Sequence, residues 1–188
     1  NQQDEAMTPT SSVYNLAEPL AFSCGLSMKN RFMLAPMTNC QSHPDGRLSN
    51  DEFHWLTMRA KGNFGLTMTC AAHVQKAGQG FPGQLGIYCD DLLEGHRRLA
   101  QAIREEGSLA VIQLHHAGMR SPEDLIGEVP HCPSADEKTG SRALTLEEVH
   151  HLRDDFIAAA KRPCRCGLCH LRPRDLDRCP VEGHVRYG

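Results

Sequence analysis

The sequence predicts an α/β fold in which helices cover a parallel sheet. Three short apolar runs, at 31–37, 64–72 and 109–118, are each followed by an amphipathic helical pattern. Runs that are apolar on both faces suit a parallel sheet with two covered faces, and not an antiparallel sheet with one wet face. Three strand–helix units in succession are typical of α/β domains.

Composition narrows the class of protein further. The 188 residues allow one domain, and a net charge of −3 gives no basic surface for nucleic acid. No apolar run approaches the ~20 residues of a membrane span. The first positive charge is Lys29 and no secretory signal is visible, so we expect a cytoplasmic protein with reduced thiols. The isolated cysteines are Cys24, Cys40, Cys70, Cys89 and Cys132.

The chain ahead of the first long apolar run predicts a hairpin. The segment "PLAFSCGLSMKNR" has two short extended pieces on either side of Gly25. A glycine between two such pieces favours a tight turn. The first parallel strand, 31–37, follows directly.

Capping residues fix the start of the first helix. Ser49 is the predicted N-cap, Glu52 completes a capping box, and Leu48 with Phe53 forms a hydrophobic staple. Gly62 is expected to end the helix. The predicted apolar face consists of Phe53, Leu56 and Ala60.

The second and third helices have equally clear ends. The second is expected to begin at Asp91 and to end at Gly107, and it buries Leu92, His96, Leu99 and Ile103. In the third, Thr145 and Glu148 form a capping box. This helix is expected to run to Arg162, with an apolar face of Val149, Leu152, Phe156, Ile157 and Ala160.

In α/β folds the chemistry gathers at the carboxyl ends of the strands. The segments there are 36–39, 71–73 and 113–118. None is followed by a glycine-rich phosphate loop, and "GQGFPG" at 78–83 opens no helix of its own. This pattern argues against a plain dinucleotide-binding domain.

Three motifs at these strand ends resemble the old yellow enzyme family. They are "KNRFMLAPMT", "GLTMTCAAHVQKAGQGFPGQLGIYCDD" and "VIQLHHAGMR", in that order along the chain. The resemblance covers about residues 13–162. It implies the N-terminal part of a (β/α)8 TIM barrel with about three βα units, and it makes 1–162 a partial FMN-binding domain.

The resemblance also implies an activity. NADH or NADPH reduces FMN, and a hydride then passes to an electrophilic alkene or a similar small-molecule acceptor. The resemblance implies neither a nucleic-acid partner nor a membrane partner, and it leaves room for an oligomer.

Five residues match the positions at which the family contacts its flavin. Pro36 and Met37 fall beside the isoalloxazine ring, and Thr38 falls where a hydroxyl or thiol tunes the flavin. Ala71 matches a small residue whose amide approaches the ring. Gln113 matches an amide on the pyrimidine edge, where its donor and acceptor complement N3–H and O2. On the residues alone, Thr38 fits a turn cap and Ala71 fits ordinary packing.

Two neighbouring histidines follow Gln113. His115 and His116 point to opposite faces of a strand, so only one of them can face the flavin. His116 matches the family motif and is interpreted as a structural partner near the site. The family usually reads H-A-G-R, whereas Met119 here separates Gly118 from Arg120, so no role is assigned to Arg120.

The catalytic pair of the family has no counterpart here. A fourth strand ending in His-x-x-His or His-x-x-Asn is due after Arg162, where those side chains grip the carbonyl oxygen of the substrate. The catalytic residues are therefore unassigned. We expect this chain to bind FMN weakly or not at all and to aggregate, because an open half-sheet exposes an edge and apolar surface.

Residues 163–188 differ in composition from the rest and are rich in Cys, Arg and Pro. The abrupt change favours a frame-shifted or wrongly spliced tail. Two rival interpretations are a c-type haem site at C-x-x-C-H and an irregular zinc knuckle. Their ligands would come from Cys164, Cys166, Cys169, His170 and Cys179. No metal is expected, so the alternative to a flavoenzyme is an inactive fragment that binds metal only if this tail does.

Overall fold

The computed structural model describes residues 15–23 and 25–168. It begins with the expected hairpin, in which β1 (Leu20–Ala21) pairs antiparallel with β2 (Ser27–Met28). Gly25 lies between them at φ +86°, a left-handed conformation that glycine adopts without strain.

The central sheet has three parallel strands in the order β3-β4-β5. They are β3 (Met33–Leu34), β4 (Leu66–His73) and β5 (Leu109–His115). The parallel sheet is confirmed, but β3 is much shorter than the predicted 31–37. Pro36 has no N–H to donate to a ladder, so regular pairing stops before it.

Three long helices pack on one side of this sheet. The first two are α1 (Asn50–Lys61) and α2 (Leu93–Glu105). A short helix, α3 (Glu123–Ile126), and a small parallel pair, β6 (His131–Cys132) with β7 (Arg142–Ala143), were not predicted. The last helix is α4 (Leu146–Cys166).

Helix α1 confirms its N-cap and corrects its capping box. Ser49 Oγ accepts the backbone N–H of Glu52 at 3.0 Å, and Gly62 caps the carboxyl end. The carboxylate of Glu52 does not return to the Ser49 backbone. It is fully buried and instead accepts hydrogen bonds from Ser42 and Cys70. The buried carboxylate is better satisfied by these two donors than by the local hydrogen bond that a capping box would make.

Helix α2 begins after a 3-10 turn at 90–92 and buries the four predicted side chains. The box of α4 is also confirmed, because Thr145 and Glu148 make both reciprocal bonds. Its predicted apolar face is partly wrong. Val149 is 42% exposed and Ile157 is 46% exposed, since the core stripe of this helix runs through Leu152, Phe156 and Ala159.

Helix α4 also continues past the predicted end at Arg162. Pro163 lies inside the helix and is buried, and Gly167 caps the helix at φ +75°. Cys166 and Leu168 join the main core cluster. The described part of the tail therefore packs as a continuation of the helix.

Alternation along the strands separates two faces of the sheet. The side chains toward the helices belong to the core cluster or pack against it, as do Cys70 and Ala72 of β4 and Ile112 and Leu114 of β5. The opposite face, which we call the inner face, carries Thr69, Ala71, Gln113 and His115.

Within residues 15–23 and 25–168, no helix is long and apolar enough to cross a bilayer.

Candidate functional site

A bulge in β4 sets two predicted site residues side by side. Met68 is level with Val111, whereas Ala71 is level with Gln113, so β4 has one extra residue between these pairs. The Thr69 hydroxyl fills the gap: it accepts the Gln113 N–H at 3.3 Å and donates to the Cys70 carbonyl at 2.8 Å. Bulges of this kind re-aim a strand, often next to active sites.

Pro36, Met37 and Thr38 follow β3 at the carboxyl end of the sheet. Leu34 is level with Thr67 of β4, so a segment that continues in extended form reaches the level of Ala71 within about four residues. Pro36 is half-buried, and Met37 and Thr38 are exposed. The structure thus brings all five predicted flavin contacts to one end of the sheet, and their role stays a prediction.

The side chains at this end keep polar groups open to a ligand. The amide of Gln113 is half-buried, and among the described residues neither it nor the Thr38 hydroxyl has a hydrogen-bond partner. Both groups are therefore open to solvent or to a ligand. A planar ring with donors and acceptors along one edge fits this arrangement, so the residues present are compatible with FMN.

The loop 78–87 closes over the end of β4. The Leu85 carbonyl accepts the His73 N–H at 2.9 Å, and the Ile87 N–H donates to the His73 carbonyl at 3.0 Å. Gly78 must be glycine, because a Cβ there would lie 2.4 Å from the His116 ring. This loop brings the fully buried side chain of Gln84 into contact with Ala71 and His115.

Gln84 connects three parts of the site. Its Oε1 accepts the Gly80 N–H at 2.7 Å, and its Nε2 donates to the Ala71 carbonyl at 3.0 Å. The same nitrogen lies 3.1 Å from Nδ1 of His115. Burial lowers the pKa of His115, so its ring is neutral near pH 7.

His116 has structural contacts. Its Nδ1 accepts the Gly118 N–H at 3.0 Å, so its Nε2 carries the proton and donates to Gln75 Oε1 at 3.1 Å. Nε2 of Gln75 in turn donates to Asp155 of α4 at 2.5 Å. Burial, and secondarily the neighbouring His131, lowers the pKa of His116 to about 4. These contacts tie the strand ends to α4.

A buried polar cluster supports the same strand from the helix side. The Cys70 thiol donates to Glu52 Oε1 at 2.6 Å, and Ser42 donates to Oε2 of the same carboxylate. Burial and the adjacent carboxylate raise the pKa of Cys70 far above its ordinary value, so the thiol stays protonated. The cluster joins the β3–α1 segment to the residue that precedes Ala71.

The haem and zinc sites considered for the C-terminal tail lie mostly outside the described residues, because Cys169, His170 and Cys179 lie beyond residue 168. Within the described part, Cys166 Sγ lies 3.6 Å from the Leu93 carbonyl. No group of three or more His, Cys, Asp or Glu in that part is placed to hold a metal ion. Arg162 and Arg165 both pair with Asp90, at 3.0 and 2.7 Å, and lower its pKa.

Sequence reasoning missed Thr69, Gln75 and Gln84. Each is a polar residue in or next to an apolar run, and a buried polar group implies a hydrogen-bonding duty. That signal was available for Thr69, which stands in the middle of β4. Nothing in the local pattern indicated which partners Gln75 and Gln84 would find.

Comparisons with known proteins give a consistent result. A family model described as the NADH:flavin oxidoreductase / NADH oxidase family matches residues 15–169. The probable NADH-dependent flavin oxidoreductase YqiG of Bacillus subtilis is 36% identical over 157 residues, which are 81% of this chain and 42% of that protein. The NADPH dehydrogenase of Bacillus velezensis is 34% identical over 87% of this chain and 46% of its own length.

Solved structures agree in fold. The old yellow enzyme homologue from Zymomonas mobilis has a TM-score of 0.74 at 29% identity, over 81% of this chain and 46% of that one. Morphinone reductase in complex with tetrahydroNAD has a TM-score of 0.72 at 26% identity, over 81% of this chain and 47% of that one. The chain thus spans less than half the length of these relatives and structures, and it has the fold of the N-terminal part of their TIM barrels.

Proposed function

This chain belongs to the NADH:flavin oxidoreductase / NADH oxidase family, and on that premise we propose that the Ala71–Gln113 end of its sheet holds the isoalloxazine ring of FMN. The observation that carries the proposal is the pairing of these two residues on the inner face. Since Ala71 is small and the Gln113 amide has no partner among the described residues, a ring can approach the strands closely there.

Each predicted residue then has a definite task. Gln113 supplies one donor and one acceptor, which match O2 and N3–H of the pyrimidine edge. The Ala71 backbone approaches the ring, and Thr38 offers a hydroxyl to its edge. Pro36 and Met37 supply apolar surface beside the ring, and the 47% exposed fraction of Met37 is the surface that the ring covers.

The proposed activity is that of an FMN-dependent NAD(P)H oxidoreductase of the old yellow enzyme type. When bound, FMN supplies hydride transfer from NADH or NADPH to an electrophilic acceptor. The names of two relatives contain such an acceptor. They are the NADH:fumarate oxidoreductase of Klebsiella pneumoniae and the NADH:acrylate oxidoreductase of Vibrio harveyi. Each is 31% identical to this chain over 81% of this chain's length. Both names contain an acid whose alkene is conjugated to a carboxylate, which supports an activated alkene as the acceptor.

The contacts proposed for this chain are all to the ring of the flavin. Ring stacking and two hydrogen bonds give modest affinity, because each net hydrogen bond contributes only about 1 kcal/mol. We therefore expect weak but saturable binding of FMN. Riboflavin, which has the same ring without the phosphate, should bind similarly.

An equilibrium titration tests this proposal. FMN is added to the purified chain, and the change in flavin absorption and fluorescence is followed to saturation, with riboflavin as the second ligand. Saturable changes with both ligands support a ring site. A linear response that matches free flavin would contradict it and would favour an inactive fragment.

A further inference from the structure

We propose that Gln84 is a positioning residue, which holds the Ala71 carbonyl in place and fixes His115 as the neutral tautomer with its proton on Nε2. The inference deepens the proposed function, because Ala71 and His115 flank Gln113 on the inner face. Its physical basis is a buried amide with three partners and one consistent assignment of donors and acceptors.

The orientation of the Gln84 amide is determined by two backbone groups. The Gly80 N–H is a donor, so the atom 2.7 Å from it must be the amide oxygen. The Ala71 carbonyl is an acceptor, so the atom 3.0 Å from it must be the amide nitrogen. The two constraints agree, and a flipped amide would set donor against donor and acceptor against acceptor.

The tautomer of His115 follows from that orientation. The Gln84 nitrogen is a donor 3.1 Å from Nδ1 of His115, so Nδ1 must accept and cannot carry a proton. In a neutral imidazole the proton then lies on Nε2. This N–H has no hydrogen-bond partner among the residues that the structure describes.

The ring that carries this N–H projects from the same face of the sheet as the Gln113 side chain. His115 lies two residues beyond Gln113, so both side chains project from the inner face. The ring is half-buried. Gln84 therefore leaves a neutral N–H donor, and not a ring lone pair, as the free polar group of His115 on the face that carries Gln113.

Neither an apolar side chain nor a carboxylate could replace the Gln84 amide in these hydrogen bonds. Gln84 is fully buried, where a buried side chain is usually apolar. A methionine would fill a similar volume, but it would leave the Gly80 N–H and the Ala71 carbonyl without this partner. The tautomer of His115 would then no longer be determined by a donor at Nδ1. A glutamate would set a carboxylate oxygen against Nδ1 and favour a proton there.

Nitrogen NMR of the histidine rings tests the inference on the chain without any flavin. In ¹⁵N-histidine-labelled protein, long-range ¹H–¹⁵N spectra distinguish the two neutral tautomers, and the His115→Phe variant assigns the signal. The wild type is expected to show the Nε2–H pattern. Gln84→Glu is expected to move the proton to Nδ1 or to add a second proton.

A matched control comes from the same loop. Gln79 is also buried, and among the described residues its side chain bonds only the Phe81 carbonyl, at 3.3 Å. Gln79→Glu should leave the His115 pattern unchanged, so an effect of placing an acid in the loop is separated from the effect of Gln84.

Two results would overturn the inference. One is an Nδ1–H pattern in the wild type, which decides the matter even if the variants fail to fold. The other is a folded Gln84→Glu variant that retains the Nε2–H pattern. Because no FMN is present, a failed FMN titration contradicts the proposed function alone, and the wrong tautomer contradicts this inference alone.

Discussion

Ala71 lies directly beside Gln113 in the ladder between β4 and β5. The pairing depends on an extra residue in β4, and the Thr69 hydroxyl fills the place of the missing ladder partner. Without the bulge, every later residue of β4 would shift by one position and the inner face would carry different side chains. The proposed flavin site therefore rests on a local irregularity of the sheet.

Removing the amide of Gln113 should weaken flavin binding. Gln113→Leu keeps the approximate volume and loses two proposed hydrogen bonds, so FMN affinity should fall by about 1–2 kcal/mol, or roughly 5- to 30-fold. The titration of FMN absorption measures this change. Gln101→Leu, an exposed position on α2, is the control, and equal affinities for the two variants would contradict the assignment.

Removing the hydroxyl that fills the bulge should destabilise the sheet. Thr69→Val is nearly isosteric, but it leaves the Gln113 N–H without its acceptor, so the free energy of unfolding should fall by about 1–3 kcal/mol. Urea denaturation measures it. Thr57→Val on α1 changes a hydroxyl whose partners in the described part of the chain are helix carbonyls, and it should cost less. A loss no larger than that of the control would show that Thr69 does not hold the bulge.

The buried carboxylate of Glu52 should be sensitive even to an isosteric change. Glu52→Gln replaces one acceptor oxygen by a donor, which then faces the hydroxyl of Ser42 or the thiol of Cys70. We expect a loss of about 1–3 kcal/mol in unfolding free energy. The exposed neighbour Asp51→Asn should change it by less than about 1 kcal/mol. Identical unfolding curves for the two variants would disprove the buried cluster.

Acid should remove the contribution of the Arg142–Glu148 pair. Hydrogen bonds from Arg142, and secondarily from the Thr145 backbone, lower the pKa of Glu148 from 4.5 to about 2. A carboxyl with a depressed pKa stabilises the fold above its unfolded value, and the contribution is lost as the pH falls through the folded one. The difference in stability between wild type and Glu148→Gln should be constant above about pH 5.5 and shrink toward pH 2. A difference independent of pH contradicts this.

Much of the fold could be predicted because local chemistry determined it. The caps at Ser49 and Thr145 and the hairpin turn at Gly25 were confirmed at the residues predicted. Each depends on side chains a few residues apart, which a sequence displays directly. Contacts between residues far apart in the sequence were harder to predict. Glu52 was predicted to complete a capping box, but its buried carboxylate instead accepts a hydrogen bond from Cys70.

The site was predictable in outline and not in detail. The family motifs led to Ala71 and Gln113, and alternation predicted that His115 and His116 face opposite ways. Thr69 and Gln84 were missed because their partners lie on another strand and in a folded-back loop. Helix α4 was ended too early at Arg162, since a proline normally stops a helix, but here Pro163 is buried within it.

The most direct test of the flavin site observes its two paired residues. FMN is titrated into ¹⁵N-labelled chain, and the side-chain amide of Gln113 and the backbone N–H of Ala71 are followed, with the Gln101 amide as an internal control. The site proposed here predicts that both signals shift saturably with one common dissociation constant while Gln101 stays fixed. Saturable shifts elsewhere in the chain with Ala71 and Gln113 unmoved would show that the flavin does not bind at this end of the sheet.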